Sequence, residues 1–172
     1  MLKYLAGYPD HVLEQVRQLG AQNRLGELLL KKYRTAHNIR TDKGLFDYVQ
    51  GLKTEYLRSA EPLSRVAFDS KLQVIRNALG THTAVSRVQG NKLKAKREIR
   101  IATLFKDVPI EFLRMIAVHE LAHLREKAHD KAFYQLCTHM EPAYHQYEFD
   151  LRLYLTNREM AGNLSWPANE SK

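Results

Sequence analysis

Residues 119–123 read His-Glu-Leu-Ala-His, and a third histidine follows at position 129. Positions four apart share one face of an α-helix, so His119 and His123 can direct two imidazole nitrogens at one point. Neutral imidazole suits zinc, and a catalytic zinc takes three protein ligands and leaves one position for water. The spacing therefore predicts a Zn²⁺ site, with another divalent metal as the alternative, held by His119, His123 and His129. Glu120 lies one step round the helix, where it can act as the base that takes a proton from the water.

This chemistry requires that the motif lie on a helix with a buried face. Phe112, Ile116, His119 and His123 follow one another at steps of four, three and four, which predicts an apolar stripe leading into the histidines. Pro109 favours a helix start at this point. The helix must bend or stop after His123 if His129 is to return to the metal. The alternative interpretation is a pair of hydrogen-bonded core histidines beside a surface glutamate.

The remaining elements predict an α+β protein with one domain over residues 1–172. Helical spacing of apolar residues indicates helices over 9–34 and from 42 or 43 to 59. Residues 61–106 alternate in hydropathy and contain turn signals, including Gly90-Asn91 after a first hairpin over 65–75, which predicts three or four mostly antiparallel strands. Residues 107–161 should form the metal-site helices. Asp130 is expected to cap a helix over 131–140, Pro142 to start the last helix, and residues 162–172 to form a loose tail.

Composition places the chain among globular proteins, with 44% hydrophobic and 27% charged residues in 172. Cys137 is the single cysteine, which excludes an intrachain disulfide and favours the cytoplasm. We expect the Cys137 side chain to lie in the core rather than to act as a nucleophile. No apolar run is long enough to span a membrane, and the N-terminus does not have the pattern of a signal peptide.

The net charge of +8 is concentrated in one region. Residues 61–105 contain nine Lys or Arg against three Asp or Glu. Alternating lysines would share one face of a strand, where they could bind phosphates together with nearby arginines and His82. These candidate substrate-binding residues are Arg87, Lys92, Lys94, Lys96, Arg97 and Arg100. The alternative is a solvated lysine face that keeps a sheet edge from aggregating.

A family resemblance covers nearly the whole chain. The histidine motif and the following His-Asp-Lys-Ala-Phe-Tyr at 129–134 resemble the YgjP-like metal-dependent hydrolases, relatives of the SprT-like and WLM zinc peptidases. Residues 77–80, 82–90, 140–142 and the opening Tyr-Leu-Ala-Gly-Tyr-Pro resemble the same family. The resemblance implies a minimal zincin-like fold, in which the sheet packs on the metal-site helix, with zinc on His119, His123 and His129 and Glu120 as the base. Metzincins share the histidine spacing but have glycine where this chain has Glu126, so the turn must be made in another way.

Three functions remain open from the sequence. The motif indicates a metallopeptidase, whose oxyanion would need a donor such as Tyr134, Tyr144, Tyr147 or Arg87. Short bacterial members of the family are described as UTP pyrophosphatases, which release UMP and diphosphate, so the resemblance implies this activity as the alternative. A DNA-associated protease of the SprT-like kind, with the basic sheet making a nucleic-acid contact, is a third possibility. Glu148 is the substitute third metal ligand if His129 does not serve.

Overall fold

The computed structural model describes residues 2–72 and 97–170. Its elements are α1 (Asp10–Ala21), α2 (Leu25–Lys32), α3 (Asp42–Tyr56), β1 (Leu63–Asp69), β2 (Arg97–Ala102), α4 (Ile110–Ala122), α5 (Lys131–Met140) and α6 (Tyr144–Ala161). Two short 3₁₀ turns, Lys3–Leu5 and Thr103–Lys106, precede α1 and α4. The mixture of helices and strands confirms the α+β class predicted from the sequence.

The helix predicted over 9–34 is wrong in its middle, because the structure has two helices there. The chain breaks at residues 22–24, where Asn23 adopts a φ of 54°. Asparagine is one of the few residues that tolerate this left-handed conformation. The break allows Val16 of α1 and Leu25 of α2 to pack on Leu5 in a small core of their own.

The sheet prediction was also wrong, since β1 and β2 pair in parallel rather than antiparallel fashion. Their register runs from Leu63 opposite Arg97 to Asp69 opposite Ala102. Parallel neighbours need a long connection, and 27 residues separate the two strands in the sequence, whereas a hairpin needs only a short turn. The predicted hairpin partner beyond Leu72 and the turn at 90–91 fall outside the described residues.

Helix α4 lies in the centre of the main core. Ten of its residues are buried, including apolar side chains on every face, and it packs against α3, α5 and α6. A helix that is hydrophobic all round is a core helix, so the predicted apolar stripe is in fact wider than one face. The helix begins directly after Pro109, as predicted. Its rigid surroundings hold the histidine motif in the interior.

The segment before α4 is tied to the loop before α3 through His37. The Nε2 atom of His37 donates to the Phe105 carbonyl at 2.6 Å, and its Nδ1 atom accepts from the Ile39 N–H at 2.9 Å. The backbone N–H of His37 donates to the Val108 carbonyl at 3.1 Å. These bonds position the start of α4 from a distant part of the chain.

Helix α6 and the tail after it close the other side of the core. Asp150 of α6 is buried and accepts from the Tyr33 hydroxyl, from Lys32 at 2.6 Å and from Gln146 at 3.0 Å. After α6, Trp166 is buried and its indole N–H donates to the Tyr33 carbonyl at 2.9 Å. The tail therefore packs on the core here, and its backbone pairs with Ala36 as far as Asn169, although its composition had indicated loose order. In the described parts of the chain, no helix has both the length and the hydropathy that crossing a bilayer requires.

Candidate metal centre

Three histidine side chains converge at the end of α4. The Nε2 atoms are 3.2 Å apart between His119 and His123, 3.0 Å between His123 and His129, and 3.3 Å between His119 and His129. His119 and His123 are buried, whereas His129 is exposed. The structure therefore brings together the three residues that the sequence had selected, with one edge of the cluster open to solvent.

The spacing of these nitrogens fits a single metal ion. A tetrahedral zinc with Zn–N bonds of about 2.0–2.1 Å separates its ligand nitrogens by about 3.3 Å. The three observed distances are within a few tenths of an ångström of this value. Imidazole ligands suit Zn, Cu, Fe and Ni, so the donor set indicates a divalent transition metal.

Within the described part of the chain, hydrogen-bond partners orient His119 and His123. The Nδ1 atom of His123 lies 2.8 Å from the Glu126 carbonyl oxygen, which can only accept, so the ring proton is on Nδ1 and the Nε2 lone pair faces the centre. The Nδ1 atom of His119 lies 2.8 Å from the hydroxyl of Tyr144, a fully buried side chain. Such partners commonly fix the tautomer and the ring orientation of metal-binding histidines.

The turn that leads from the end of α4 back to His129 contains no glycine. Helix α4 ends at Ala122, and tightened turns follow, in which the N–H groups of Arg125 and Glu126 donate to the Ala122 carbonyl at 3.1 and 2.9 Å. Among the described residues, Glu126 is not one of those with positive φ. Because this turn needs no left-handed residue, glutamate is tolerated where metzincins have glycine.

Helix α5 carries the wall behind the three histidines. Asp130 caps it by accepting from the Phe133 N–H at 3.0 Å, and the helix spans Lys131–Met140 as predicted. The ring centroid of the fully buried Phe133 lies 4.9 Å from that of His119, 4.5 Å from that of His123 and 4.9 Å from that of His129. One phenyl ring thus contacts all three imidazoles and restricts how far each can rotate.

Glu120 follows His119 directly and is buried, with 8% of its surface exposed. Burial raises the pKa of its carboxyl to about 8. A divalent cation on the neighbouring histidines would favour the carboxylate and act in the opposite direction. A general base must lie within reach of the water that it deprotonates, and Glu120 is the buried acidic residue that directly follows a histidine of the centre.

Glu148, the substitute ligand, is engaged elsewhere. Its carboxylate accepts from Arg152 at 3.0 and 3.3 Å, and Arg152 also donates to the Tyr4 carbonyl at 2.8 Å. The histidine cluster of the described residues comprises His119, His123 and His129 and does not include this side chain. Glu148 therefore attaches the N-terminal segment to α6.

The candidate donors Tyr134, Tyr144 and Tyr147 occupy three different environments. Tyr144 touches His119, as described above. Tyr134 packs edge-on against Phe133, with ring centroids 5.1 Å apart, and is half-buried. Tyr147 is half-buried, and burial raises its pKa above the ordinary value. Cys137 is fully buried, and burial raises the pKa of its thiol to about 12, which agrees with a core role.

The basic candidates divide into described and undescribed residues. The Nε atom of Arg97 donates to Glu61 at 2.5 Å, and Arg100 is paired with Glu98 at 3.2 Å and with Asp69 at 3.3 Å. These two arginines are therefore largely neutralised by carboxylates. The other candidates fall outside the described residues: His82, Arg87, Lys92, Lys94 and Lys96.

The sequence reasoning missed two features of the centre. Phe133 was not among the candidate site residues, and Tyr144 was expected as an oxyanion donor rather than as a partner of His119. Tyr144 follows His119 by 25 positions and lies on another helix, so no local pattern links the two residues. The sequence did carry one signal for Phe133. This residue lies four positions after His129, in the first turn of the helix that Asp130 caps.

Comparisons with known proteins bear on the identity of this centre. Residues 63–154 match the model of the family described as YgjP-like, metallopeptidase domain. The chain is 59% identical over 162 residues to a protein named UTP pyrophosphatase from Escherichia coli (strain K12), an alignment that covers 94% of this chain and 97% of that protein. No solved structure matches the chain. With its three converging histidines and more than half of its length inside the family model, the chain belongs to the YgjP-like family and is a hydrolase of the metal-dependent type.

Proposed function

We propose that this protein hydrolyses UTP to UMP and diphosphate at the three-histidine centre, with Zn²⁺ as the metal and Glu120 as the general base. The observation that carries the proposal is the identity of 59% to a UTP pyrophosphatase over nearly the full length of both chains. The convergence of the three Nε2 atoms to 3.0–3.3 Å supports a metal at this point. All-imidazole coordination with one open side is typical of catalytic zinc.

When bound, zinc lowers the pKa of a coordinated water towards neutrality and acts as a Lewis acid towards phosphoryl oxygens. The protein's own contribution is to move a proton and to hold geometry. Glu120 accepts one proton as the water oxygen forms a bond to the α-phosphorus. The bond from the α-phosphorus to its bridging oxygen breaks, and diphosphate leaves with that electron pair. Glu120 can then pass its proton to the leaving diphosphate, which restores the carboxylate.

The three histidines have distinct duties in this scheme. His119 lies on the buried helix α4 and His123 directly follows its last residue, so their Nε2 atoms define the position of the metal. His129 comes from the exposed connection between α4 and α5, which leaves its side of the cluster accessible to a nucleotide. Phe133 restricts the rotation of all three rings, which keeps the geometry preorganised before substrate arrives.

The triphosphate carries several negative charges that must be neutralised. We assign this role to Arg87, Lys92, Lys94 and Lys96, with His82 lining the site, because these residues lie in the most basic part of the sequence. Arg97 and Arg100 make a smaller contribution in this proposal, since each is already paired with a carboxylate. A DNA-associated role is not part of the proposal, because the relative that matches nearly the full chain is named for a nucleotide substrate.

Peptide hydrolysis is the second candidate function. It is favoured by the family model, which is described as a metallopeptidase domain, and by the His-Glu-x-x-His motif itself. The same centre and the same base would act on a peptide carbonyl, with the oxyanion stabilised by the metal and a hydroxyl donor such as Tyr134. The two functions use the same residues, but UTP is a highly charged anion whereas a peptide bond is neutral.

The experiment that separates them is a substrate panel on the full chain loaded with zinc. UTP, CTP, ATP, GTP and dTTP are tested for diphosphate release, beside casein and a peptide library, each with Glu120→Gln as the matched control. We expect diphosphate and UMP from UTP, abolished by chelation, restored by zinc and absent in the variant. Peptide cleavage that depends on Glu120, without diphosphate release from any nucleotide, would replace this proposal by the second one.

A further inference from the structure

We propose that Tyr144 is a positioning residue of the metal centre: its hydroxyl oxygen accepts the Nδ1–H of His119 and so turns the Nε2 lone pair of that ring towards the metal. The inference rests on the proposed function only in requiring that the three histidines bind a metal. It assigns a role in that binding to a side chain 25 positions away on α6, outside the histidine motif.

The contact between His119 and Tyr144 is short and shielded from solvent. The Nδ1 atom of His119 and the hydroxyl oxygen of Tyr144 are 2.8 Å apart, and the two rings are nearly parallel, at an angle of 17°. Tyr144 is fully buried and His119 is 1% exposed. Solvent is therefore poorly placed to replace this bond, and the tyrosine hydroxyl favours one of the two tautomers of His119.

The direction of the hydrogen bond follows from where the Nε2 atom of His119 points. That atom lies 3.2 Å from the Nε2 atom of His123 and 3.3 Å from the Nε2 atom of His129. A metal at this point needs the Nε2 lone pair of His119, so the ring proton is on Nδ1 and the hydroxyl oxygen of Tyr144 accepts it. This order gives each polar atom a partner, in keeping with the absence of unpaired buried side-chain nitrogen and oxygen atoms among the described residues.

The opposite order would disable the centre. A hydroxyl that donated to Nδ1 would place the His119 ring proton on Nε2, where it would block a metal. His123 avoids this ambiguity because its Nδ1 partner is a backbone carbonyl, which only accepts. Tyr144 supplies the corresponding control for His119 through a side chain, so it can be tested by substitution.

The test compares Tyr144→Phe with Tyr154→Phe in the full chain. Tyr154 is the matched control because it is a buried tyrosine of the same helix whose ring packs on Phe112 and Trp166 instead of on the histidines. Zinc dissociation constants are measured by competition with a chromophoric chelator, and melting temperatures with and without zinc. We expect Tyr144→Phe to weaken zinc binding 10–100-fold and to reduce the zinc-induced rise in melting temperature. Tyr154→Phe should leave the zinc dissociation constant unchanged.

A spectroscopic readout reports the tautomer directly. Long-range ¹H–¹⁵N correlation of the histidine rings should show a proton on Nδ1 of His119 in the wild type and a shift of that proton towards Nε2 in Tyr144→Phe. A melting temperature lowered equally with and without zinc, at an unchanged zinc dissociation constant, would mean that Tyr144 is only a core residue and would overturn the inference.

A second measurement keeps the inference testable if Tyr144→Phe does not fold. Long-range ¹H–¹⁵N correlation on the metal-free wild-type chain locates the ring proton of His119 without any variant. In that case, a His119 ring proton on Nε2 overturns the inference. A wild-type chain that binds no zinc would refute the proposed function instead, so the two failures are distinguishable.

Discussion

His123 donates its Nδ1–H to the backbone carbonyl of Glu126, 2.8 Å away, and the turn that closes this bond also brings His129 back to the centre. This bond between a side chain and the backbone lies within the six-residue connection from His123 to His129. Because the acceptor is a carbonyl, the side chain at position 126 is not needed for this bond. Residue 126 also has no positive φ, so a glutamate can occupy the position where metzincins have glycine.

The first prediction concerns this turn. Glu126→Ala should leave zinc affinity within about twofold of wild type, since the carbonyl remains in place. Glu126→Pro should weaken it strongly, because proline removes the N–H that donates to the Ala122 carbonyl at 2.9 Å, at a cost of about 3 kcal/mol. Chelator competition measures both variants. Equal zinc affinities in the alanine and proline variants would show that the turn geometry does not matter for the metal.

The second prediction concerns the phenyl wall. Phe133→Ala should lower the free energy of unfolding by about 3–5 kcal/mol and weaken zinc binding, because it opens a cavity against all three imidazoles. Phe112→Ala is the matched control, since Phe112 is equally buried on α4 but contacts Tyr33, Tyr154 and Trp166.

Urea unfolding with and without zinc distinguishes the two variants. Both variants should have a lower free energy of unfolding than wild type. The increase in this free energy on adding zinc should be smaller in Phe133→Ala and unchanged in Phe112→Ala. A zinc increment that shrinks equally in both variants would assign Phe133 to general packing and contradict the prediction.

The third prediction concerns pH. Burial lowers the pKa of His37 below 6.5, and its Nδ1 atom already accepts from the Ile39 N–H, so the folded chain keeps this ring neutral. The unfolded chain takes up a proton as the pH falls through 6.5, so the stability contributed by His37 is present above that pH and is lost below it. His37→Gln should therefore lose less stability than wild type between pH 7.5 and pH 5.5.

Urea unfolding at the two pH values measures this difference, with His11→Gln as the control because His11 is an exposed histidine on α1. The control should lose as much stability as wild type. An acid-induced loss in His37→Gln as large as that of wild type would show that His37 does not resist protonation in the folded chain.

The sequence predicted some of these features well and others not at all, for physical reasons. The Asp130 cap and the span of α5 were confirmed because capping is a local interaction between residues three apart. The pairing of β1 with β2 was predicted wrongly because hydropathy alternation identifies a strand but not its partner or direction. The contact between His119 and Tyr144 joins two helices through the core, and a buried tyrosine in a sequence looks like any other core residue.

The fourth prediction concerns the basic region. Removing two lysines by Lys94→Ala with Lys96→Ala should raise KM for UTP on the order of tenfold, since each charge at about 4 Å from a phosphate is worth about 1 kcal/mol in water. The zinc content should not change. Lys31→Ala with Lys43→Ala removes two exposed lysines of α2 and α3 and is the matched control. Steady-state kinetics at low and high salt should show the effect fading with salt. An unchanged KM at low salt would leave the lysines a role in solubility alone.

The central claim is that the three histidines hold the metal and Glu120 acts on the water, and one paired measurement tests it most directly. Zinc content by elemental analysis and diphosphate release from UTP are determined on the same preparations of wild type, Glu120→Gln and His123→Ala. We predict about one zinc per chain with turnover in wild type, about one zinc with turnover lowered at least 10²-fold in Glu120→Gln, and loss of both in His123→Ala. Normal turnover in Glu120→Gln, or full activity in a zinc-free His123→Ala, would contradict the account.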